Sequence, residues 1–491
     1  MNNIKPFIHL FRTFRKHYIF DVNTSAILAV EKGTYIYLEH SLTIKGSLPE
    51  TSLVLSDGEM QKAQDWIKKV QGQGFLSGKR IKKIEHSNTH FLDFFLGHYM
   101  GNLILQVTQA CNLRCKYCAY SGNYQNRSHG ELMMSEETAK KAIDYFIARS
   151  SEKSRLAFGF YGGEPFLNFD LIKKLAKYIK QKARGKEYGF YITTNGTIMN
   201  GEIIRFLVDN DVNLYISLDG PKEIHDRNRC FGSGRGSYDV VMKNIEMIQT
   251  IAPEYVAKKI GFSAVFNNDV SFCSLSKFFT DFDVVKDHLV LAAEQNNYNL
   301  KEEKKIQMKP DGLQYYDDLE YESFKYMLYK TQRLEKQDVS KLVTIWEEGA
   351  LIEMEEKREL GIEVPDSFHP SGPCIPGCNR LFVTVEGDLY PCERVSETSK
   401  ACMLGSLNSG IDIEKAKEFL NIGRLTEDEC KNCWAVRYCG ACIACADNGE
   451  KLDKKQKLSY CIMFRSKAEA KLKKYCAYKE LNISTEKHDN L

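Results

Sequence analysis

The chain lacks any apolar run approaching the roughly 20 residues needed to span a bilayer. Its opening stretch, MNNIKPFIHLFRTFRKHYIF, has no apolar core followed by a cleavage site, so it does not read as a secretory signal. Charge of one sign is lacking too: 68 basic and 65 acidic residues leave a net +3. A general nucleic-acid binder works through a basic surface, and none is indicated. The expectation is a cytoplasmic protein with neither membrane nor nucleic acid as partner. Against these absences stand sixteen cysteines in 491 residues. In a reducing compartment such a count points to metal rather than disulfides. They are also bunched, three between 111 and 118 and ten between 374 and 461.

The first bunch is Cys111-Asn112-Leu113-Arg114-Cys115-Lys116-Tyr117-Cys118. Three thiolates this close can hold three irons of a 4Fe–4S cube and leave the fourth open to bind and reduce a ligand, whereas a four-cysteine cluster is closed and mainly carries electrons. Zinc is the rival, but structural zinc takes four ligands, and no fourth Cys or His lies beside the triplet. Cys-x3-Cys-x2-Cys with an aromatic before the last cysteine resembles the signature of radical S-adenosylmethionine (SAM) enzymes. The resemblance implies that SAM chelates the open iron and is cleaved to a 5′-deoxyadenosyl radical, chemistry that belongs to the cofactor.

From residue 101 short β-rich runs alternate with amphipathic segments. Strands are expected at Leu103–Thr108, Leu156–Tyr161, Tyr188–Thr193, Val212–Ser217, Lys259–Phe266 and His288–Ala293, and helices at Ser135–Arg149, Leu171–Ala183 and Tyr238–Ile251. Alternation of this kind means a parallel α/β sheet, here a partial (β/α)6 TIM barrel. Polar and glycine motifs follow the strands, at the end where such barrels place their sites. The resemblance assigns them. Gly162, Gly163, Glu164 and Pro165 look like the family's GGEP motif, which receives the SAM amine. Asn195, Ser217, Asp219 and Arg229 match ribose- or carboxylate-contacting positions, and Tyr117 would lie near the adenine. Independently of the family, Glu164 and Asp219 offer acceptors, and Arg229 offers a fork suited to a carboxylate.

After a charged helical stretch the cysteines resume. Cys374 and Cys378 precede a hairpin pattern, with Gly387-Asp388 in its turn, that ends on Cys392. Cys430, Cys433, Cys439, Cys442, Cys445 and Cys461 follow. The pattern resembles a SPASM domain, which implies two auxiliary 4Fe–4S clusters and so three in all: Cys374, Cys378, Cys392 and Cys442 on one, Cys430, Cys433, Cys439 and Cys461 on the other. Two residues separate Cys439 from Cys442 where the family commonly has three, which leaves Cys445 as an alternative to Cys442. A zinc ribbon is the alternative for the whole region. Cys230, Cys273, Cys402 and Cys476 receive no role. Glu393 matches an acid that serves sulfatase-maturing relatives as a base; a surface salt bridge is the other reading.

The expected divisions are 1–98, 99–300, 301–369 and 370–491: a winged-helix-like peptide-recognition domain, the barrel, a helical connector and the SPASM domain. In the first, Phe7–Phe11, His17–Asp21 and Ala26–Val30 read as strands, Asp57–Gln71 as a helix, and Thr34–His40 as either. This resembles the domain that grips the leader of a precursor peptide as an added strand. The basic run Lys79–Lys83 would attract an acidic leader or simply be solvated. The whole resembles a radical SAM–SPASM peptide maturase, and Cys118-Ala119-Tyr120-Ser121-Gly122-Asn123-Tyr124 and Cys433-Trp434-Ala435 add a likeness to thioether-forming maturases of cysteine-rich peptides. An electron donor such as flavodoxin or ferredoxin is implied. Carbon–carbon cross-linking, formylglycine formation and a zinc-stabilised binding protein are the competing functions.

Overall fold

The computed structural model describes residues 5–42, 54–121, 129–294, 312–356, 358–370 and 372–483. The chain begins with an antiparallel meander of β1 (Ile8–Arg12), β2 (His17–Asp21) and β3 (Ala26–Val30). Asp21 shapes the second turn: Oδ1 accepts from Asn23 N at 3.0 Å, while Oδ2 accepts from Thr24 Oγ1 and Leu76 N at 3.0 Å each. Helix α1 (Lys32–Leu42) resolves the ambiguous Thr34–His40 segment, because Thr34, Tyr35, Ile36 and Leu38 are all buried at helical spacing. Helix α2 (Asp57–Gly72) starts on a capping box between Ser56 and Glu59.

Strand β4 (Lys83–Ile84) and helix α3 (Leu92–His98) lead into the barrel, where Leu92 and Leu96 already belong to the main core. The barrel runs β5 (Asn102–Thr108), α4 (Glu136–Ala148), β6 (Arg155–Gly162), α5 (Phe169–Lys182), β7 (Glu187–Thr194), α6 (Gly201–Asp209) and β8 (Asn213–Ser217). It continues through α7 (Lys222–Asn228), α8 (Tyr238–Ile251), α9 (Pro253–Lys259), β9 (Ile260–Phe266), α10 (Phe272–Asp281) and β10 (Leu289–Glu294). Six parallel strands lie in the order β10-β9-β8-β7-β6-β5. Each expected strand is present within two residues of its expected ends.

Side-chain alternation sets the two faces. Phe158, Phe160, Phe190 and Ile192 are buried, and Phe158 meets Phe146 of α4 edge-on at 5.4 Å, so this set faces the helices. Gly159 and Tyr191 stand opposite each other on the other face, as do Thr193 and Tyr215. A Cβ at Gly159 would strike the Tyr191 ring. On β10, Leu289 and Leu291 lie opposite Gly261 and Ser263 and are about half exposed, 50% and 49%, so the barrel's inner face reaches solvent at this edge.

Two helices, α11 (Gly312–Lys330) and α12 (Lys341–Glu356), follow, and β11 (Ser367–Phe368) pairs with β4. The C-terminal extension then rejoins the barrel. Strand β12 (Leu381–Val383) lies parallel to β5, and β13 (Asp388–Tyr390), β14 (Gly405–Ser406) and β15 (Gly410–Ile411) carry the same sheet outward to ten strands. The hairpin turn is Thr384–Gly387, with Gly387 at φ +92°; Asp388, expected in the turn, opens the returning strand and accepts from Thr384 N at 3.0 Å. Helices α13 (Ile413–Leu420), α14 (Glu427–Lys431), α15 (Lys454–Ser459) and α16 (Cys461–Glu480) close the chain.

The basic run 79–83 is in part solvated, with the Lys82 and Lys83 side chains 74% and 56% exposed, and in part paired with nearby acids. Lys79 pairs with Glu363 at 3.3 Å, Lys82 with Asp366 at 2.8 Å, and Lys83 with Glu85 at 2.8 Å. The meander sits against the C-terminal extension through β1. His9 stacks on Trp434 with ring centroids 3.5 Å apart, and Arg437 donates to the carbonyls of Val22, Asn23 and Ile362 at 2.8–3.0 Å.

Candidate active site and thiol sets

The loop after β5 carries Cys111, Cys115 and Cys118 at the carboxyl end of the barrel strands. It is pinned from two sides. Arg114 N and Lys116 N donate to the carbonyls of Cys230 and Asn228 at 2.7 and 3.1 Å, and Leu113 bridges Phe231. On the other side, Gly163 N donates to Thr108 O and Glu164 N to Ala110 O, both at 2.9 Å. This approach needs glycine. At Gly162, φ +141°, a Cβ would fall on the Thr108 carbonyl oxygen; at Gly163 it would fall on that of Ala110. Pro165 opens the short 3₁₀ turn that follows.

Glu164 is fully buried. Its Oε1 accepts from Thr194 Oγ1 at 2.8 Å and Phe166 N at 3.2 Å, and its Oε2 accepts from Asn195 N at 2.7 Å. Burial pushes its carboxyl up to about 7 against the opposing pull of these donors. Glu164 therefore ties the end of β6 to the end of β7. Asn195, so placed, donates to Asn112 Oδ1 at 2.9 Å and to Cys111 Sγ at 3.7 Å.

Tyr117, Asp219 and Arg229, expected around SAM, are locked onto one another. Arg229 Nε and Nη2 grip the two Asp219 oxygens at 2.9 and 3.0 Å, the Tyr117 hydroxyl donates to Asp219 Oδ2, and Val265 N donates to Oδ1 at 3.0 Å. The Arg229 fork is thus spent on Asp219, and both are buried. His225 stands behind them, accepting from Asp219 N at 3.4 Å and meeting Ser237 Oγ at 3.0 Å; burial holds its imidazole down at about 4. Ser217 is buried at the end of β8.

The sequence reading passed over a second network. Gln106, the single amide in the apolar run LILQVT, is completely buried and donates to Glu397 Oε1 at 2.8 Å and to Tyr120 OH at 3.2 Å. The Tyr120 hydroxyl donates to Glu397 Oε2 at 2.8 Å, and Val385 N donates to Gln106 Oε1 at 3.1 Å. A polar residue inside such a strand was the available signal. Glu397 is thus the carboxylate tied to the cysteine loop. Glu393 pairs with Arg380 at 2.5 Å and lies within electrostatic reach of Tyr191, whose hydroxyl donates to Asn102 Oδ1 at 2.8 Å at the start of β5. The salt bridge expected of Glu393 exists, but it is turned toward the barrel, with only 17% of the side chain exposed.

Of the two expected auxiliary sets, the structure draws the second together and the first in its Cys392–Cys442 pair alone, with no contact bringing Cys374 or Cys378 to them among the described residues. Cys392 and Cys442 are electrostatic neighbours, whereas Cys445 is fully buried behind Cys442 and donates its S–H to the Cys442 carbonyl at 2.9 Å. A side-chain hydrogen bond between the two sulfurs draws the Cys442 thiol down and holds the Cys445 thiol up. Cys378 is buried, its thiol pushed up to about 12 by desolvation, and Cys374 is exposed. In the second set Cys430 is a neighbour of Cys433, Cys439 and Cys461 alike. Of the cysteines left without a role, Cys402 and Cys476 are buried, Cys273 is exposed, and Cys230 lies beside Cys115.

These thiols suit a metal group. The N–H two residues on is donated to Cys111, Cys118, Cys392, Cys433, Cys439 and Cys442, a pattern that favours thiolate over thiol. Burial, the largest cause, together with neighbouring negative groups and against the donated N–H groups, pushes Cys111, Cys115, Cys392 and Cys439 up to about 11, so a metal's positive charge is what would ionise them. Among the described residues no three His, Cys, Asp or Glu side chains are drawn close enough for one metal ion. A tetrahedral zinc, with Zn–S near 2.3 Å, would need sulfurs about 3.8 Å apart; a four-iron cube spreads its ligands wider.

Residues 105–254, which carry the triplet at the mouth of the six-stranded parallel half-barrel, match the model of the Radical SAM superfamily. That superfamily works with SAM and a 4Fe–4S cluster; the three thiols fit the cluster, while Tyr117, Asp219 and Arg229 are engaged with one another. Among relatives, the cysteine-type anaerobic sulfatase-maturating enzyme of Clostridium novyi is 32% identical over 163 residues, 32% of this chain and 42% of that protein. The enzyme of the same description from Clostridium perfringens (strain ATCC 13124) is 26% identical over 365 residues, 71% of this chain and 90% of its own length. At 32–35% identity the chain spans less than half the length of the relatives it matches. Native anSMEcpe with bound AdoMet and Cp18Cys peptide shares the fold at TM-score 0.54 and 22% identity, over 76% of this chain and 99% of that one. Among the described residues no helix is long and apolar enough to cross a membrane.

Proposed function

We propose that the chain is a radical SAM peptide maturase that forms Cys thioether cross-links in a ribosomally made, cysteine-rich precursor peptide. The observation that carries this reading is the N-terminal meander. It leans on the C-terminal extension through β1 and bears no further strand on the outer edge of β3 among the described residues. An extended leader can add there through backbone hydrogen bonds.

In this reading Cys111, Cys115 and Cys118 hold the SAM-binding cluster. Cys374, Cys378, Cys392 and Cys442 hold one auxiliary cluster, and Cys430, Cys433, Cys439 and Cys461 the other. Bound SAM and its cluster supply a hydrogen-abstracting radical. Glu164 and the glycine pair set the cysteine loop against β6 and β7. Tyr117, Asp219 and Arg229 brace the neighbouring strand ends. Glu393 or Glu397 receives the proton that the substrate cysteine gives up, and the auxiliary clusters receive the remaining electron, with a flavodoxin or ferredoxin supplying the electron that starts the cycle. The motif likeness for thioether formation runs from Cys118 to Tyr124, and residues 122–124 lie outside the described residues.

Formylglycine formation is the second reading, favoured by the 365-residue match to a sulfatase-maturating enzyme. Incubation with a synthetic precursor under reducing, oxygen-free conditions, followed by thiol alkylation and mass spectrometry, separates the readings. A thioether removes two hydrogens and leaves that cysteine unalkylated but linked. Formylglycine converts a residue to an aldehyde without linking it. A carbon–carbon link keeps every thiol free to alkylate, and either of these last two products contradicts the thioether reading.

A further inference from the structure

Lys457 is a side chain beside the second cysteine set whose burial is hard to reconcile with an ordinary surface role. It lies on α15, four residues before Cys461, and is only 3% exposed. Buried lysines are almost always paired with a carboxylate, because an uncompensated ammonium costs several kcal/mol. Among the described residues no carboxylate is within ion-pair distance of its Nζ. Instead Nζ donates to Thr426 Oγ1 and to Cys430 Sγ, the latter at 3.9 Å. Thr426 Oγ1 lies 3.2 Å from Cys430 Sγ, and with its oxygen accepting from Lys457 its hydroxyl hydrogen is left for that sulfur. The ammonium therefore reaches Cys430 directly and through a hydroxyl relay. It also lies within electrostatic reach of Cys439 and Cys461, pulling against the burial that holds both thiols up. Three of the four members of this set face one buried cation.

We infer that Lys457 is a positioning residue that raises the reduction potential of the group held by Cys430, Cys433, Cys439 and Cys461. It thereby makes this the auxiliary site that retains an electron. One-electron reduction adds a negative charge to a centre that is already anionic, and a fixed positive charge in a dry environment stabilises that state more than the oxidised one. Hydrogen bonds to a ligand sulfur act in the same direction. Among the described residues the first auxiliary set has no such cation buried within it: Arg394, which acts on Cys442, is 73% exposed, Lys153, which acts on Cys378, is only half-buried, and the Glu393 carboxylate acts against Cys392. The electron comes from the substrate radical and its proton leaves separately, so the site takes up charge without a proton.

The inference rests on the reading that these four cysteines hold a 4Fe–4S cluster. Zinc in the wild-type protein would defeat that reading and take the inference with it. Failure of the inference alone would appear only in the variants. The experiment is an EPR-monitored redox titration at fixed pH of full-length protein with Cys111, Cys115 and Cys118 replaced by alanine, so that only the auxiliary centres report. The Cys461→Ala variant identifies the second signal. Lys457→Met should shift the reduction equilibrium of that signal at least tenfold toward the oxidised form, 59 mV for one electron, with the other signal unmoved. Thr426→Val should give a smaller shift of the same sign. An unchanged midpoint in fully iron-loaded Lys457→Met overturns the inference. If Lys457→Met fails to load, the comparison passes to uptake: loading restored by Lys457→Arg but not by Lys457→Gln supports the charge role, and equal loading contradicts it.

Discussion

Glu164 shows how much one residue carries. Its oxygens hold Thr194, Asn195 and Phe166 in place, so Glu164→Gln sets an amide N–H₂ or a weaker acceptor against donors that have nowhere else to turn. Leaving one such buried group unsatisfied costs about 1–3 kcal/mol, and we expect a lower urea midpoint together with weaker SAM binding in an equilibrium binding assay. Gly163→Ala should be worse for the cysteine loop than for overall stability, because its Cβ meets the Ala110 carbonyl directly before Cys111. Iron bound after anaerobic reconstitution should fall by about four per chain, while far-ultraviolet circular dichroism stays close to wild type. The GGEP motif made both residues legible in advance. The closed Tyr117–Asp219–Arg229 lock was not: Tyr117 lies 102 residues from Asp219, and Arg229 returns to Asp219 only at the end of helix α7. Two buried histidines add a pH dependence. His225 and His369 are each held by burial at about 4, below the ordinary 6.5. A depressed base contributes stability that is complete above pH 6.5 and is lost as the pH falls toward 4. At 1.36 kcal/mol per tenfold the interval is worth ~3 kcal/mol each. Urea midpoints at successive pH values should fall across that window, and His225→Gln should flatten the decline.

Among the elements, the barrel strands were the most legible. β5 is buried on both faces and reads as a continuous apolar run, whereas β7 and β8 alternate buried with half-buried residues, and turn signals bound each of them. The hairpin β12–β13 was legible as a hairpin and not as a continuation of the barrel sheet, because nothing in a three-residue strand names its neighbour. Arg437 is a comparable case: its neighbours Cys433 and Cys439 drew attention, and its own role is to clamp the meander. Arg437→Ala would strip a charged donor from the carbonyls of Val22, Asn23 and Ile362, a loss of about 2–3 kcal/mol. We expect the first 80 or so residues to become the preferred site of limited proteolysis in that variant, with the barrel unaffected. Resistance equal to wild type would mean that the His9–Trp434 stack and the β1 contacts suffice alone.

At the scale of the whole molecule the cysteine spacing announced three thiol sets, and the structure gathers most of their members. The connection between them was out of reach of sequence reading. Gln106 and Glu397 join the first strand of the barrel to the C-terminal extension across 291 positions, and the meander rests on the segment between Cys433 and Cys439. A peptide held at β3, a radical generated at the barrel mouth and electrons passed to the extension would therefore share one continuous scaffold. The most direct measurement is iron and SAM turnover in one experiment: anaerobic reconstitution with iron and sulfide, metal analysis, then dithionite reduction in the presence of SAM. About twelve irons per chain with release of 5′-deoxyadenosine is the predicted result. Zinc in place of iron, with SAM intact, would contradict the account and leave a metal-stabilised binding protein.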